Sequence, residues 1–256
     1  MPEVKIGGPA AAYPPSSSRE KWHSFLTTAS GNNTIPDQYT WHHIGDDTTP
    51  PDHVAKEWLK LREQYKMPER LIDVNEYAWP YRQNPANTAW YLSQFERNEM
   101  QGLRANWGSR EDLHDRQADL LGKTEDGEYY PNGEWWLYKY YNEMEGERVI
   151  TNASSDGLFD VFATISDEGV VKIIGGTRTF EDRFDAGDYV IEVDGLSRKD
   201  GTIQVQSWRF DYEGAQVEIG PPVDLGARDY DVADGKVSHS ALSKTKDSEA
   251  HYANTT

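Results

Sequence analysis

The sequence predicts an α/β segment followed by an all-β segment, and three observations predict it. Over residues 1–125, short apolar runs alternate with amphipathic stretches, the pattern of βα units around a parallel sheet. Past residue 125 the period shortens. Alternating runs at 159–163, 170–174, 189–193 and 203–212, separated by Gly, Asp and Ser turns, read as an antiparallel β-sandwich. From about residue 238 the chain is rich in Ser, Thr, Lys and Asp, which predicts a frayed end. The expected organisation is an α/β domain over 1–147, a β-sandwich over 148–240 and a flexible tail over 241–256.

Four βα units are countable in the first segment. A strand at 4–6 is closed by Gly7-Gly8-Pro9 as a turn and followed by a helix over 19–28. The second strand, 39–43, leads to a helix from Asp52, an N-cap residue, through Val54, Trp58, Leu59 and Leu61 at helical spacing. The third pairs a strand at 71–76 with a helix at 88–100, and the fourth a strand at 103–107 with a helix at 112–121. Residues 77–87 form the longest connection of the segment, and long loops carry function.

Composition narrows the chemistry. Nine Trp, fifteen Tyr and seven Phe in 256 residues supply large packing faces and rings on which sugars stack. A net charge of −18, from 44 acidic against 26 basic residues, repels nucleic acid. With no cysteine there are neither disulfides nor thiolate metal sites. No apolar run reaches about 18 residues, so no membrane-spanning helix is expected. The start lacks the basic and apolar regions of a secretory signal, which predicts a cytoplasmic location for the chain as given. Sequons at Asn32, Asn152 and Asn254 point instead to a secreted ancestry.

Parallel βα units present functional groups at the C-terminal ends of their strands. Four such ends carry unusual residues: Gly7-Gly8-Pro9, Trp41-His42-His43, Asn75-Glu76-Tyr77 and Asn106-Trp107. The third places a carboxylate at the end of a mostly apolar strand and follows it with aromatics, Tyr77 and Trp79. A carboxylate fixed on a rigid strand can attack an anomeric carbon while rings nearby stack on the sugar. The bland reading of Glu76 is a surface ion pair, and that of the tryptophans is core packing. Alternation puts Tyr39, Trp41 and His43 on one face and Thr40 and His42 on the other, so His42 points away from the helices. His42 and His43 therefore diverge and do not form a metal site. For the fourth strand, Arg104 with Asn106, or Ala105 with Trp107, could point inward. Gly7-Gly8-Pro9 lacks the further elements of a phosphate loop.

The series Lys5-Ile6-Gly7-Gly8-Pro9-Ala10, Trp41-His42-His43, Asn75-Glu76-Tyr77-Ala78 and Gly102-Leu103-Arg104-Ala105-Asn106-Trp107 resembles strands five to eight of clan A glycoside hydrolases. It is most similar to family 39 and its fungal relatives. The resemblance implies a partial (β/α)8 TIM barrel of about four units, followed by an accessory β-sandwich. It implies a retaining hydrolase of β-linked sugars with Glu76 as nucleophile. Substrate contacts would come from His42, Asn75, Tyr77, Trp79, Asn106 and Trp107. No cofactor or metal is implied, and the partner is an oligo- or polysaccharide.

The departure from the family pattern concerns the acid/base. Clan A enzymes carry it as a second glutamate, after Asn, at the end of strand four. The Asn-Glu pairs here are Asn75-Glu76, Asn98-Glu99 inside the third helix and Asn142-Glu143 past the α/β segment. The sequence therefore reads as a glycoside hydrolase incomplete as this chain, with a non-catalytic carbohydrate-binding remnant as the alternative. Open barrel edges leave room for a homodimer.

Overall fold

The computed structural model describes residues 4–44, 49–104, 117–178, 180, 187–243 and 250–255. The chain divides into two compact units, Met1–Pro80 with Gln94–Gly108, and Tyr81–Ser93 with Ser109–Thr256.

The first unit is built on a four-stranded parallel sheet in sequence order, β1 (Gly7–Ala11), β2 (Gln38–His43), β3 (Leu71–Tyr77) and β4 (Met100–Arg104). Parallel neighbours need a crossover between them. Those crossovers are α1 (Glu20–Gly31), α2 (Pro51–Gln64) and α3 (Pro85–Arg97). Trp22, Leu26 and Ala29 are buried along α1, and Val54, Trp58 and Leu61 along α2, at the spacing of one helical face. Pro51 opens α2, where its missing N–H costs nothing.

Two differences from the expected elements concern the strands. Gly7-Gly8-Pro9 is not a turn but the first strand, paired Gly7 to Gln38, Gly8 to Tyr39 and Pro9 to Thr40. Glycine propensity argued against a strand there, and pairing with β2 overrode it. The strand expected at 103–107 is β4, three residues earlier, because Met100 and Gly102 pair with Ile72 and Val74. Residues 105–107, and residues 112–116 of the helix expected at 112–121, lie outside the described residues; 117–120 form a turn and a strand begins at Leu121, so the second half of that expected helix is not helical.

The sheet's two faces differ in chemistry. Tyr39, Trp41, Val74 and Tyr77 are all at most 1% exposed on the helix side. There Trp22 meets Trp41 and Trp58, Tyr39 meets Trp58, and Tyr77 meets Phe95 of α3 edge to face. Each such buried side chain contributes about 1.5–3 kcal/mol. The opposite face carries Thr40, His42, Asp73 and Glu76, flanked by exposed Leu71 and Leu103.

The loop from β1 to α1 is tied down by Glu57 of α2. Its Oε2 accepts from the Ser17 backbone N at 3.0 Å and Oγ at 2.6 Å, and its Oε1 accepts from Lys60 Nζ at 2.8 Å. The Lys60 bond, then the Ser17 bonds, hold the Glu57 carboxyl down at about 2. A folded-state value below the unfolded one adds stability that is fully present above pH 4.5 and is lost as pH falls toward 2. Thermal unfolding of Glu57→Gln should therefore begin below that of the parent protein at pH 7, with the gap narrowing at pH 3. A gap of equal size at both pH values would show that the network is not electrostatic.

Besides its part of α3, the second unit contains a hairpin, β5 (Leu121–Lys123) and β6 (Tyr129–Pro131), and α4 (Gly133–Asn142). Asn132 caps α4 by accepting from Trp135 N. A six-stranded sheet follows. Its order is β12 (Val223–Asp231), β11 (Thr202–Phe210), β14 (Ala250–Thr255), β9 (Val171–Thr177), β8 (Phe159–Ile165) and β7 (Glu147–Arg148). On one face Leu137 of α4 and Ala89 cluster with Ile174 and Phe210. On the other, Phe159, Ala163, Val171 and Ile173 pack against Ile191. Ile191 belongs to a separate two-stranded sheet of β10 (Gly187–Val193) and β13 (Val237–Ser243).

The hairpin and α4, placed by sequence with the α/β domain, thus group with the β-rich unit, because the apolar face of α4 rests on β9 and β11. The stretch expected as a tail includes β14, hydrogen-bonded to β11 on one side and β9 on the other. Its polar composition hid this, since strand pairing uses backbone groups that every residue carries.

Candidate active site

The C-terminal ends of β2 and β3 carry the strongest constellation in the first unit. Residues paired in register on neighbouring strands face the same side of a sheet. Trp41 pairs with Val74, His42 with Glu76, and His43 with Tyr77. Between Val74 and Glu76 the register slips, so Asn75 is an extra residue opposite the Trp41–His42 step, a β-bulge.

That bulge decides where Glu76 points. Strict alternation would set Glu76 with Ile72 and Val74 on the buried helix side. One inserted residue moves it to the face of Thr40, His42 and Asp73, and moves Tyr77 into the core. The signal was present in the sequence: Ile72, Val74 and Tyr77 are spaced by two and then by three, and the acidic residues Asp73 and Glu76 by three. Alternation alone, without the slip, missed it.

His42 Nδ1 donates to Glu76 Oε2 at 2.7 Å, with the two side chains 22% and 28% exposed. Both are therefore held and both are reachable. An ionised carboxylate only accepts, so this bond assigns the proton to Nδ1 and leaves Nε2 as the imidazole's other hydrogen-bonding atom. Below the pair, burial pushes the Asp73 carboxyl up from its ordinary value. The Oδ1 of half-buried Asn75 is itself buried, with no hydrogen-bond partner among the described residues. Immediately after β3 the chain turns sharply at Ala78, which is fully buried at a φ of 64°.

The residues singled out by sequence separate into three groups. His42, Asn75 and Glu76 come together at the strand ends, and half-buried Trp79 lies just beyond Ala78. Tyr77 is 1% exposed against Phe95, so the structure places it in the core instead of the cleft. Asn106 and Trp107 lie outside the described residues. His43, separated from His42 by alternation, is buried with its Nε2 bonded to the Thr49 carbonyl. Asp73 went unnoticed because it precedes the strand end.

No protein-family model matches the chain. Over 135 residues, 52% of the chain, it is 26% identical to a 3-O-β-L-arabinopyranosyl-α-L-arabinofuranosidase of Bifidobacterium pseudocatenulatum, and the match spans 13% of that protein. Among solved structures, N2152 of Neocallimastix frontalis superposes on all of the chain with a TM-score of 0.82 at 22% identity, over 61% of its own length. A glucosidase of Croceicoccus marinus does so with a TM-score of 0.61 at 17% identity, over 60% of its length. At these identities the structural likeness speaks for the fold. Two curated sequence relatives, at 26% and 24% identity, carry arabinofuranosidase names, which supports a glycoside hydrolase relationship. The chain spans about an eighth of the curated relative and about three fifths of these solved structures.

Proposed function

We propose that this chain is the nucleophile-bearing part of a retaining glycoside hydrolase, with Glu76 as nucleophile and His42 as the residue that orients it. The observation that carries the reading is the 2.7 Å His42–Glu76 contact at the C-terminal ends of parallel strands, on the face away from the helices. Parallel sheets are ordinarily covered on both faces. A face opposite the described crossover helices, with exposed Leu71 and Leu103, fits part of a (β/α)8 barrel whose interior this face would line. The finer likeness to clan A and family 39 belongs to the same proposal.

His42 holds Oε2 of Glu76, which leaves Oε1 as the attacking atom. In the first step Oε1 bonds to the anomeric carbon, the bond from that carbon to the leaving oxygen breaks, and the leaving oxygen takes a proton from a second carboxyl. In the second step that carboxylate removes a proton from water, the water oxygen bonds to the anomeric carbon, and the ester to Glu76 breaks. The two carboxyls of a retaining pair stand about 5 Å apart. Among the described residues β3 is the one strand of the parallel sheet with a carboxylate in its last two positions, so we assign the acid/base to a strand outside this four-stranded sheet.

Covalent trapping tests the reading. The protein at its full natural length is incubated with an activated 2-deoxy-2-fluoro β-glycoside, and, because of the curated relatives' names, with the corresponding α-L-arabinofuranoside. The label should map to the peptide containing Glu76 and be absent from Glu76→Gln. A label on another carboxylate would overturn the assignment. Binding of oligosaccharide without labelling or turnover would favour the non-catalytic reading instead.

A further inference from the structure

We infer that the cavity between the edge of the six-stranded sheet and β13 is an anion site that takes one carboxylate group, held by Ser207, Arg228, Tyr230 and His239. The site lies wholly within the second unit and is independent of the glycosidase reading. Antiparallel pairing sets its walls. Ser207 pairs with Gly226, Val205 with Arg228 and Ile203 with Tyr230, so Ser207, Arg228 and Tyr230 share one face of β11 and β12. Val205, on that same face, is 2% exposed, which marks the face as the covered one. His239 pairs with Ile191, and Ile191 packs on the six-stranded sheet, so His239 points toward that sheet from β13. Its ring meets the Tyr230 ring edge to face, with 5.0 Å between centres.

The cavity measures about 90 Å³ and is lined by Ser207, Leu225, Gly226, Arg228 and Tyr230 of the sheet and by His239 and Ser240 of β13. No carboxylate is among them, in a chain with 44 acidic residues against 26 basic ones. The acids nearest along β12 are turned to other partners. Gln206 and the Gly226 backbone N–H donate to Asp224, and Gln204 donates to Asp229 at 3.5 Å. Within the described residues the side chains of Ser207, Arg228, Tyr230 and His239 make no hydrogen bond or ion pair, and the His239 Nδ1 is buried without a partner. A guanidinium is a fork of donors that accepts nothing, and the two hydroxyls and the imidazole N–H add to it. Unspent donors around a space that holds no acceptor call for an anion. Water takes about 30 Å³, so the space holds about three waters or one carboxylate, far below the roughly 300 Å³ of a pocket for a whole small molecule. Burial, and then the Arg228 charge, hold the His239 imidazole below its usual value, so it stands neutral beside the cation at pH 7. One formal positive charge remains for the ligand, which matches a carboxylate better than a phosphate dianion, and a guanidinium binds a carboxylate through two parallel bonds. The body of the ligand stays outside, past exposed Leu225, Arg228 and Ser240.

The test uses the 256-residue chain, with sodium acetate as probe, and follows the His239 ring by NMR through a pH titration. Loss of the signal in His239→Asn assigns it. The charged or titratable groups facing the ring are Arg228 and Tyr230 of β12, while β11 presents Val205 and Ser207 and β10 presents Ile191. Bound acetate adds a negative charge that favours the imidazolium, so the His239 midpoint should rise by about one pH unit relative to sodium chloride of equal ionic strength. Arg228→Gln should raise the midpoint in chloride, because the repelling cation is gone, and should abolish the further rise in acetate. Glucuronate should act as acetate does, at lower concentration if a sugar acid is the natural ligand and at the same concentration if a free small acid is; either result supports the site. A midpoint equal in acetate and chloride, or a rise in acetate that persists in Arg228→Gln, would overturn the site and leave the cavity to water. A rise in phosphate without one in acetate would overturn the carboxylate assignment. A His239 that titrates at its usual value in the parent chain, unmoved by acetate, would show that the cavity does not form and would equally overturn the proposal.

Discussion

Glu76→Gln should lower kcat/KM of the full-length protein by about 10⁴-fold or more, with little change in melting temperature. The two side chains are nearly isosteric, the site is partly exposed, and the amide cannot form the glycosyl ester. His42→Ala should be milder, a loss of about 10²-fold, because it frees the carboxylate without removing it. A glutamine at His42 supplies an N–H donor in place of Nδ1, so His42→Gln should recover part of the rate if orientation is what His42 provides. Steady-state rates on an aryl glycoside decide the matter. A full rate in Glu76→Gln would remove Glu76 from the chemistry and leave the strand-end carboxylate as an ion-pair partner of His42.

The second large effect concerns stability. Gly176→Ala should cost about 3 kcal/mol, at the upper end of what overpacking does in a close-packed interior. A Cβ built at Gly176 would stand 2.1 Å from the Ala86 carbonyl oxygen and within 2.9 Å of its Cα and carbonyl carbon. These are backbone atoms at the start of α3, so no side-chain rotation relieves the clash. Gly175→Ala should cost less. Its Cβ meets the ends of the Phe159 and Val161 side chains at 2.9 and 3.0 Å, and those can shift. Gly31→Ala at the end of α1 meets nothing within 4 Å and should change stability by less than about 1 kcal/mol, in the stabilising direction. Urea unfolding of the three variants, compared through their midpoints, ranks them. A Gly176→Ala protein as stable as Gly31→Ala would mean that α3 and β9 do not approach so closely.

Periodicity alone determined much about this protein. The change from alternating βα units to short-period strands near residue 125 is a property of side-chain order, so the parallel sheet and the β-rich remainder were both legible. So was the placing of His42 on the face away from the helices, because β2 alternates without interruption from Tyr39 to His43. Glu76 was legible as a residue type at a strand end, and the resemblance to glycoside hydrolases rested on that.

Tertiary structure decided what periodicity does not encode. Pairing with β2 turned Gly7-Gly8-Pro9 from a turn into a strand, and pairing on both sides drew a polar C-terminal stretch into the six-stranded sheet. Backbone hydrogen bonds drive both, and they leave no trace in composition. The single slip at Asn75 set Glu76 beside His42 and buried Tyr77. A strand's facing is the running sum of its register, so one extra residue reverses every side chain beyond it, and only the neighbouring strand shows where the extra residue lies.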